Sequence, residues 1–430
     1  VAPYAGDLRR SDPALADELD ARFAAAIATL QSAPAPDDFD RLAFLTDRAD
    51  PLAKALWRAR ERLGIPAPPD RRAWRGTAAT LWEADAFDAI AFAPSGAEDA
   101  PADRAALGHL LFFDPVLSGD GSRACASCHV PERGFADGRP RPAPMRVGGV
   151  VPRRNTPTVV NAGLQAGVFY DLRTAFLEDQ VTDVVRNPDE MHGDFDRAAA
   201  LLAGSPEYAA RFRRAFPGAD TAVKEGKIRA TVASYVRSLD GMNAPFDRYV
   251  RGDRAAMGEA ERRGFNLFMG RARCGSCHFA PLFNGTVPPA YTRAETEVLG
   301  VPDRPARSGA RVDADEGRGA LRGIPLYRHA FKTPTVRNAA LTAPYMHNGV
   351  FRTLDEVVDF YARGGGPAWG IHLENQTLPA DSIPLSPRDR ADLVAFMHAL
   401  TDTTGLTARP ARLPALPGAP SLRRDAGGGY

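Results

Sequence analysis

Cys125-Ala-Ser-Cys128-His129 and Cys274-Gly-Ser-Cys277-His278 use all four cysteines of the chain, and the reading of these two strings decides the fold. Cys-x-x-Cys-His is the attachment signature of a c-type haem: two sulfurs add to the porphyrin vinyl groups, and the adjacent histidine becomes the proximal iron ligand. A zinc reading needs four sulfurs to converge while both histidines stand idle, although Cys274 lies 149 positions after Cys125. Two complete copies with no cysteine left over predict two covalent haems, with His129 and His278 on iron and no disulfide.

The length of 430 residues allows roughly two to three domains. Hydrophobic residues at 44% and charged residues at 25% are ordinary for a globular chain. A formal net charge of +1 gives no field for nucleic acid or a membrane surface. The longest apolar stretches, such as Phe23 to Leu30, are too short to span a bilayer. Haem attachment is extracytoplasmic in bacteria, so a periplasmic location is expected. Val1 opens directly into polar sequence, so an export signal is expected to have been removed or left out.

Residues 1–95 carry no haem motif and read as a helical accessory segment. One helix is predicted from Asp12-Pro13 to about Leu30, a second over Asp38 to Asp47, and a third from Asp50-Pro51 to Leu63. Ser95 to Pro101 reads as a linker. Two haem units follow, 103–245 and 255–402, each with a short apolar helix before its motif (Leu107 to Phe113; Gly264 to Met269). Thr156-Pro-Thr-Val-Val-Asn-Ala162 returns 177 residues later as Thr333-Pro-Thr-Val-Arg-Asn-Ala339. Holding that offset from 155 to 184 gives ten identities, which predicts an internal duplication. A closing helix is expected in each unit, at about Val223 to Asp240 and Pro387 to Thr401. The Pro-, Gly- and Arg-rich tail, 403–430, reads as extended or disordered.

The repeat allows the two iron sites to be compared position by position. Thr353-Leu-Asp-Glu356 is a capping box, and Leu354, Val357, Val358 and Tyr361 then share one helix face. Tyr361 offers iron a phenolate oxygen, with Met346 as the competing ligand. In the first unit the same position is Val184, which binds no metal, so the first haem is expected to be open and the second closed. Gln180 falls on the apolar face of Leu177, Val181 and Val184, where a polar group needs a partner. Glu190 follows Asn187-Pro188. An amide and a carboxyl above an open haem supply what peroxide cleavage requires: one group to hold an oxygen, another to move a proton.

These strings, with Leu111-Phe-Phe-Asp-Pro-Val-Leu-Ser-Gly-Asp-Gly121, Phe331-Lys-Thr-Pro-Thr-Val-Arg-Asn338 and Ala343-Pro-Tyr-Met-His-Asn-Gly349, resemble the bacterial diheme cytochrome c peroxidase/MauG superfamily over about residues 103–402. The resemblance implies a mainly α fold of two cytochrome c-like domains. It implies Glu190 and Gln180 as distal acid and amide at the first haem, and a calcium ion held between the domains by Asn155, Thr342 and Pro344, partly through carbonyls. A tyrosine at 361 matches the MauG branch, where peroxidases needing reductive activation have methionine. A phenolate favours ferric and higher states, so both haems are expected to share the oxidising equivalents of peroxide in a high-valent diheme state.

Two departures stand out: Tyr170 lies where the family has a tryptophan between the haems, and Val184 replaces a MauG proline. His192 reads either as a pocket residue or as an exposed loop histidine, and Met145 as a residue able to swing onto the first haem. Three functions follow from the sequence. In the first, peroxide drives oxidation of a partner protein, at a tryptophan in one version, with Tyr170 relaying between haems. In the second, the protein reduces peroxide with electrons from a small cytochrome or cupredoxin. In the third it only carries electrons.

Overall fold

The computed structural model describes residues 2–33, 35–67, 73–95, 97, 102–143, 150–218, 220–420, 422 and 424–429. It is built from helices: α1 (Ala5–Ser11), α2 (Pro13–Gln31), α3 (Arg41–Phe44), α4 (Asp50–Arg62), α5 (Ala102–Phe113), α6 (Cys125–Cys128), α7 (Leu177–Arg186), α8 (Phe195–Ala203), α9 (Pro206–Ala215), α10 (Glu225–Arg237), α11 (Pro245–Val250), α12 (Glu259–Met269), α13 (Arg318–Arg322), α14 (Leu354–Ala362) and α15 (Pro387–Ala399). Strands β1 (Thr296–Val298) and β2 (Ala330–Lys332) pair antiparallel, with Thr296 opposite Lys332. Among the described residues no helix is long and apolar enough to cross a membrane.

One apolar core gathers Leu107, Phe112 and Phe113 of α5, Val181 and Val185 of α7, Tyr208 and Phe212 of α9 and Val232 of α10. A second gathers Phe246, Phe265 and Phe268, Phe283, Val358 of α14 and Phe396 of α15. The two are wired alike. α5 crosses α10 so closely that a Cβ at Gly108 would stand 2.1 Å from the Thr231 carbonyl, and α12 crosses α15 so that one at Gly264 would stand 2.0 Å from the Asp392 carbonyl. Only glycine permits either approach.

Asn161 and Asn338 repeat the pattern, with φ of 58° and 61°, a left-handed conformation that asparagine tolerates. The Asn161 side-chain oxygen accepts from Gly241 N at 2.9 Å, and that of Asn338 from Asp402 N at 2.7 Å. Their backbone N–H groups donate to Leu239 O at 2.8 Å and Leu400 O at 3.2 Å.

The N-terminal helices differ in one respect from the sequence reading. Asp12 caps α2 by accepting from Leu15 N at 3.0 Å, as expected. The next two predicted helices are instead continuous: α3 runs through a π-helical stretch, Leu45–Ala49, straight into α4. Pro51 has no N–H and its ring crowds the preceding turn, and the widened turn absorbs that defect without a break. This segment docks on the second core. Leu42 is buried there, its N–H donates to Asn266 Oδ1 at 2.9 Å, and Asn266 Nδ2 donates to Asp40 at 2.9 Å. Ala73, Phe87 and Phe92 pack with Leu164, Met242 and Tyr291, so the segment reaches both units. The linker read at Ser95 to Pro101 lies mostly outside the described residues.

The tail is extended and pinned to the first core. Leu416 is buried in that core, and Ser205 Oγ donates to Ala415 O at 2.6 Å. Arg409 makes a double ion pair with Glu132 at 2.8 Å and 2.8 Å. Arg424 pairs with the fully buried Asp114, whose carboxylate also accepts from the Tyr208 hydroxyl at 2.5 Å. Gly427 N donates to Phe113 O at 2.7 Å. Nothing in its composition demands disorder once arginines and backbone groups find these partners.

Candidate active site

The two attachment loops have matching local geometry. Each histidine N–H closes a turn onto its first cysteine, His129 N to Cys125 O at 2.9 Å and His278 N to Cys274 O at 3.0 Å. His129 Nδ1 lies 3.1 Å from the Phe135 carbonyl, and His278 Nδ1 lies 3.0 Å from the Pro334 carbonyl. A carbonyl accepts only from N–H, so Nδ1 carries the proton and Nε2 is left as the ligating nitrogen. Burial pushes both histidines below their ordinary range, His278 to about 4, which keeps the imidazoles neutral as ligation requires. Burial likewise pushes the Cys125 and Cys274 thiols up to about 12. Phe112 and Phe268 sit beside the two imidazoles at 6.3 Å and 6.2 Å between ring centroids. Half-buried cysteine pairs, oriented imidazoles and flanking rings fit a covalent haem in each unit.

The opposite sides of the two sites differ. Tyr361 occupies the last turn of α14, half-buried. Burial pushes its phenol well above the ordinary range, and the sulfurs of Cys277 and Cys274 and the Glu297 carboxylate add to the effect. The phenol therefore shares the electrostatic surroundings of the second attachment pair, and its hydroxyl has no hydrogen-bond partner among the described residues. A desolvated phenol with an open lone pair fits an iron ligand. Met346 has φ of 69° and packs in the same apolar cluster as Tyr361.

At the first site Val184 is half-buried against the core. Leu177, Val181 and Val185 form the buried stripe of α7, while Gln180 and Val184, one turn apart, flank it. Gln180 is thus beside the apolar stripe rather than within it. α7 is held by a group the sequence reading missed: Glu178 is buried and accepts from Arg237 of α10 at 2.7 Å and 2.7 Å. A charged residue three positions before Val181 on that stripe was its visible signal.

Glu190 lies in the loop after α7, where Asn187 Nδ2 donates to Glu190 Oε1 at 3.0 Å. Burial raises its carboxyl above the ordinary range, although Arg173 and the Asn187 hydrogen bond work the other way. The loop is tied to the first motif, because Arg123, two residues before Cys125, donates to Glu190 O at 3.3 Å and Ala143 O at 3.0 Å. His192 in the same loop is exposed with φ of 47°, and Met145 lies outside the described residues.

Tyr170 stands at the seam between the units, its carbonyl accepting from Lys332 N at 2.6 Å. Burial raises its phenol; Arg154 opposes the shift and Asp137 adds to it. Arg154 spans the seam, donating to Asp171 at 2.6 Å and to Asp315 at 2.7 Å and 3.0 Å. Asn155 is buried beside it, with N–H to His347 O at 2.7 Å and Nδ2 to Arg139 O at 2.7 Å. Its amide nitrogen is thereby committed, and among the described residues its oxygen has no hydrogen-bond donor. Thr342, two residues before Pro344, packs on Gly134 of the first unit. Among the described residues no cluster of three His, Cys, Asp or Glu side chains could hold a metal, so a cation at this seam would rest on neutral oxygens.

Comparison with known proteins agrees with this geometry. Residues 102–255 match the model of the di-haem cytochrome c peroxidase family. The chain is 36% identical to the methylamine utilization protein MauG of Methylorubrum extorquens over 69% of this chain and 78% of the relative. It is also 36% identical to cytochrome-c peroxidase IdrP1 of Denitromonas iodatirespirans, over 73% and 85%. Among solved structures it resembles a MauG-like protein associated with microbial copper homeostasis, with a TM-score of 0.63 and 28% identity over 74% of this chain and 94% of that one. The diheme peroxidase BthA of Burkholderia thailandensis matches with a TM-score of 0.57 and 25% identity over 77% and 92%. Haem-loop geometry, sequence identity and overall shape lead to one conclusion: the chain belongs to the di-haem cytochrome c peroxidase family that includes MauG.

Proposed function

We propose that this is a periplasmic enzyme that uses hydrogen peroxide to oxidise a partner protein, as the name MauG on one relative suggests, with a tryptophan as one target. One observation carries this reading over that of a cytochrome-fed peroxide scavenger. Tyr361 carries a phenol in the electrostatic surroundings of Cys277 and Cys274, while Val184 holds the corresponding place in the first unit. The bound haems would supply redox chemistry with peroxide and storage of its oxidising equivalents. His129 and His278 would hold the irons through Nε2, and Tyr361 would be a further ligand at the second.

At the open side, Glu190 moves a proton from one peroxide oxygen to the other, and the Gln180 amide holds the bound oxygen. The Glu190 carboxyl suits this because burial brings its pKa closer to neutrality. Tyr170, between Arg154 and Asp137, relays between the units. Asn155 Oδ1 and carbonyls at Thr342 and Pro344 would hold a calcium ion at the seam. The matched wiring of the two cores supports an internal duplication, with 103–245 and 255–402 as cytochrome c-like domains, 1–95 as accessory segment and 403–430 as tail.

The test adds peroxide to the all-ferric holoenzyme without a reductant. A long-lived oxidised state holding two equivalents is expected, and Tyr361→Met should convert the protein to one that reacts only after one haem is reduced. Inertness of the ferric wild type supports the scavenger instead, and two low-spin six-coordinate haems at rest would leave an electron carrier.

A further inference from the structure

Tyr345, Met346, Tyr361 and Trp369 share one apolar cluster with Phe351, Phe360 and Ile371. In the first unit the matching positions are not oxidisable: 177 residues before Tyr345, Met346 and Tyr361 stand Val168, Phe169 and Val184. The register is structural as well, since Val168 bridges Thr174 as Tyr345 bridges Phe351. At these three positions only the second unit carries an oxidisable side chain.

Within the cluster the rings touch in order. Tyr361 and Phe360 have centroids 5.5 Å apart, Phe360 and Trp369 5.2 Å. Such spacing is ordinary aromatic packing. The far side of the indole is what singles out Trp369. It is buried, 6% exposed, yet Nε1–H donates to Pro305 O at 3.1 Å and the Arg307 guanidinium lies 5.9 Å from the ring centroid. Pro305 and Arg307 belong to the exposed loop 303–309. Trp369 thus joins the surroundings of Tyr361 to the surface in two ring contacts.

The geometry points to Trp369 as a one-electron relay between the second haem and an acidic partner protein seated on loop 303–309. This rests on Tyr361 being the ligand of that haem. Peroxide is the oxidant: two electrons and two solvent protons turn it into two waters. Trp369 gives one electron inward and regains one from the partner, twice per peroxide. The indole proton stays on Nε1, because the Pro305 carbonyl accepts a hydrogen bond but is no base, so no proton moves in the relay. Arg307 opposes positive charge on the ring and holds the hole back from the surface. An acidic side chain of the partner that pairs with Arg307 lifts that opposition.

The experiment uses holoenzyme carrying ring-deuterated tryptophan, freeze-quenched after peroxide and read by electron paramagnetic resonance. An organic radical whose hyperfine pattern changes on deuteration is expected. It should vanish in Trp369→Phe, with a several-fold longer life of the oxidised state. Arg307→Gln should raise its yield and shorten that life several-fold. A radical indifferent to deuteration, or an unchanged lifetime in Trp369→Phe with the second haem's low-spin spectrum intact, overturns the relay. A resting wild-type spectrum without tyrosinate ligation, recorded before peroxide is added, overturns the Tyr361 reading itself and the relay with it.

Discussion

The Ser127 hydroxyl, inside the first haem-binding loop, donates to the Gly427 carbonyl at 2.9 Å across 300 residues of sequence. Its counterpart Ser276 is exposed and donates back to Arg273 O at 2.6 Å. The tail therefore straps one loop and leaves the other at the surface.

The strap should be essential to the stability of the first core. Arg424→Met leaves the Asp114 carboxylate, which is fully buried, without its cation, at an expected cost of about 3–5 kcal/mol. Ser127→Ala removes two hydrogen bonds, the one to Gly427 O and the one accepted from Ala124 N at 3.0 Å, and should cost about 1–3 kcal/mol. Denaturant unfolding of the two holo variants checks both values; equal stability would mean that the strap is not docked.

Arg154 should set the acid sensitivity of the seam. Burial raises the Asp315 carboxyl, but the hydrogen bond and charge of Arg154 outweigh it and hold the pKa below the ordinary range. A depressed carboxylate stabilises the fold above its unfolded pKa and loses that contribution as pH falls through the folded value. In Arg154→Met the buried Asp315 loses its cation while Asp171 keeps Arg173 at 3.2 Å, so the deficit against wild type should grow from small near pH ~2 to about 3–5 kcal/mol by neutrality. Stability curves of both proteins over that window read it directly.

Glu190→Gln should slow the reaction with peroxide by about 10²–10⁴. In wild type the rate should rise with pH through an inflection above the ordinary carboxylate range, because the carboxylate must be ionised to accept the peroxide proton. The variant should lack that inflection. It should also gain stability relative to wild type as pH rises through the raised value, where ionising the buried acid costs the native state. Stopped-flow absorbance across pH tests the kinetic arm.

Lys332 should make the protein more stable in mild alkali. Burial lowers its pKa to about 8, with the ammonium held by Gln165 Oε1 and, at 3.4 Å, Gly167 O. Between that value and the ordinary ~10.4 the unfolded chain binds more protons, so stability rises with pH by up to about 1.4 kcal/mol per unit. Lys332→Met should abolish this slope, measured as the difference between the two unfolding profiles.

How far the sequence reached follows from which constraints are local. Two Cys-x-x-Cys-His strings, the Thr353 capping box and the 3.6-residue pattern of α7 and α14 act within a turn or two of chain, so attachment loops, helices and the Val184/Tyr361 contrast were legible. Glu178 was missed although it lies on the α7 stripe, because its partner Arg237 is 59 residues away. The break expected before Pro51 did not occur, since a widened turn accommodates proline as well as a helix end does.

By itself, then, the order of residues determined which reactive side chains the two sites can draw on, since thiol, imidazole and phenol are properties of single side chains at short spacing. Only the tertiary structure decided what surrounds them. The N-terminal helices on the second core, the Arg154 bridge, the tail over Ser127 and the indole of Trp369 beside Arg307 all join residues far apart in the chain. Burial, which makes a partner obligatory for a polar group, exists only once the chain has folded.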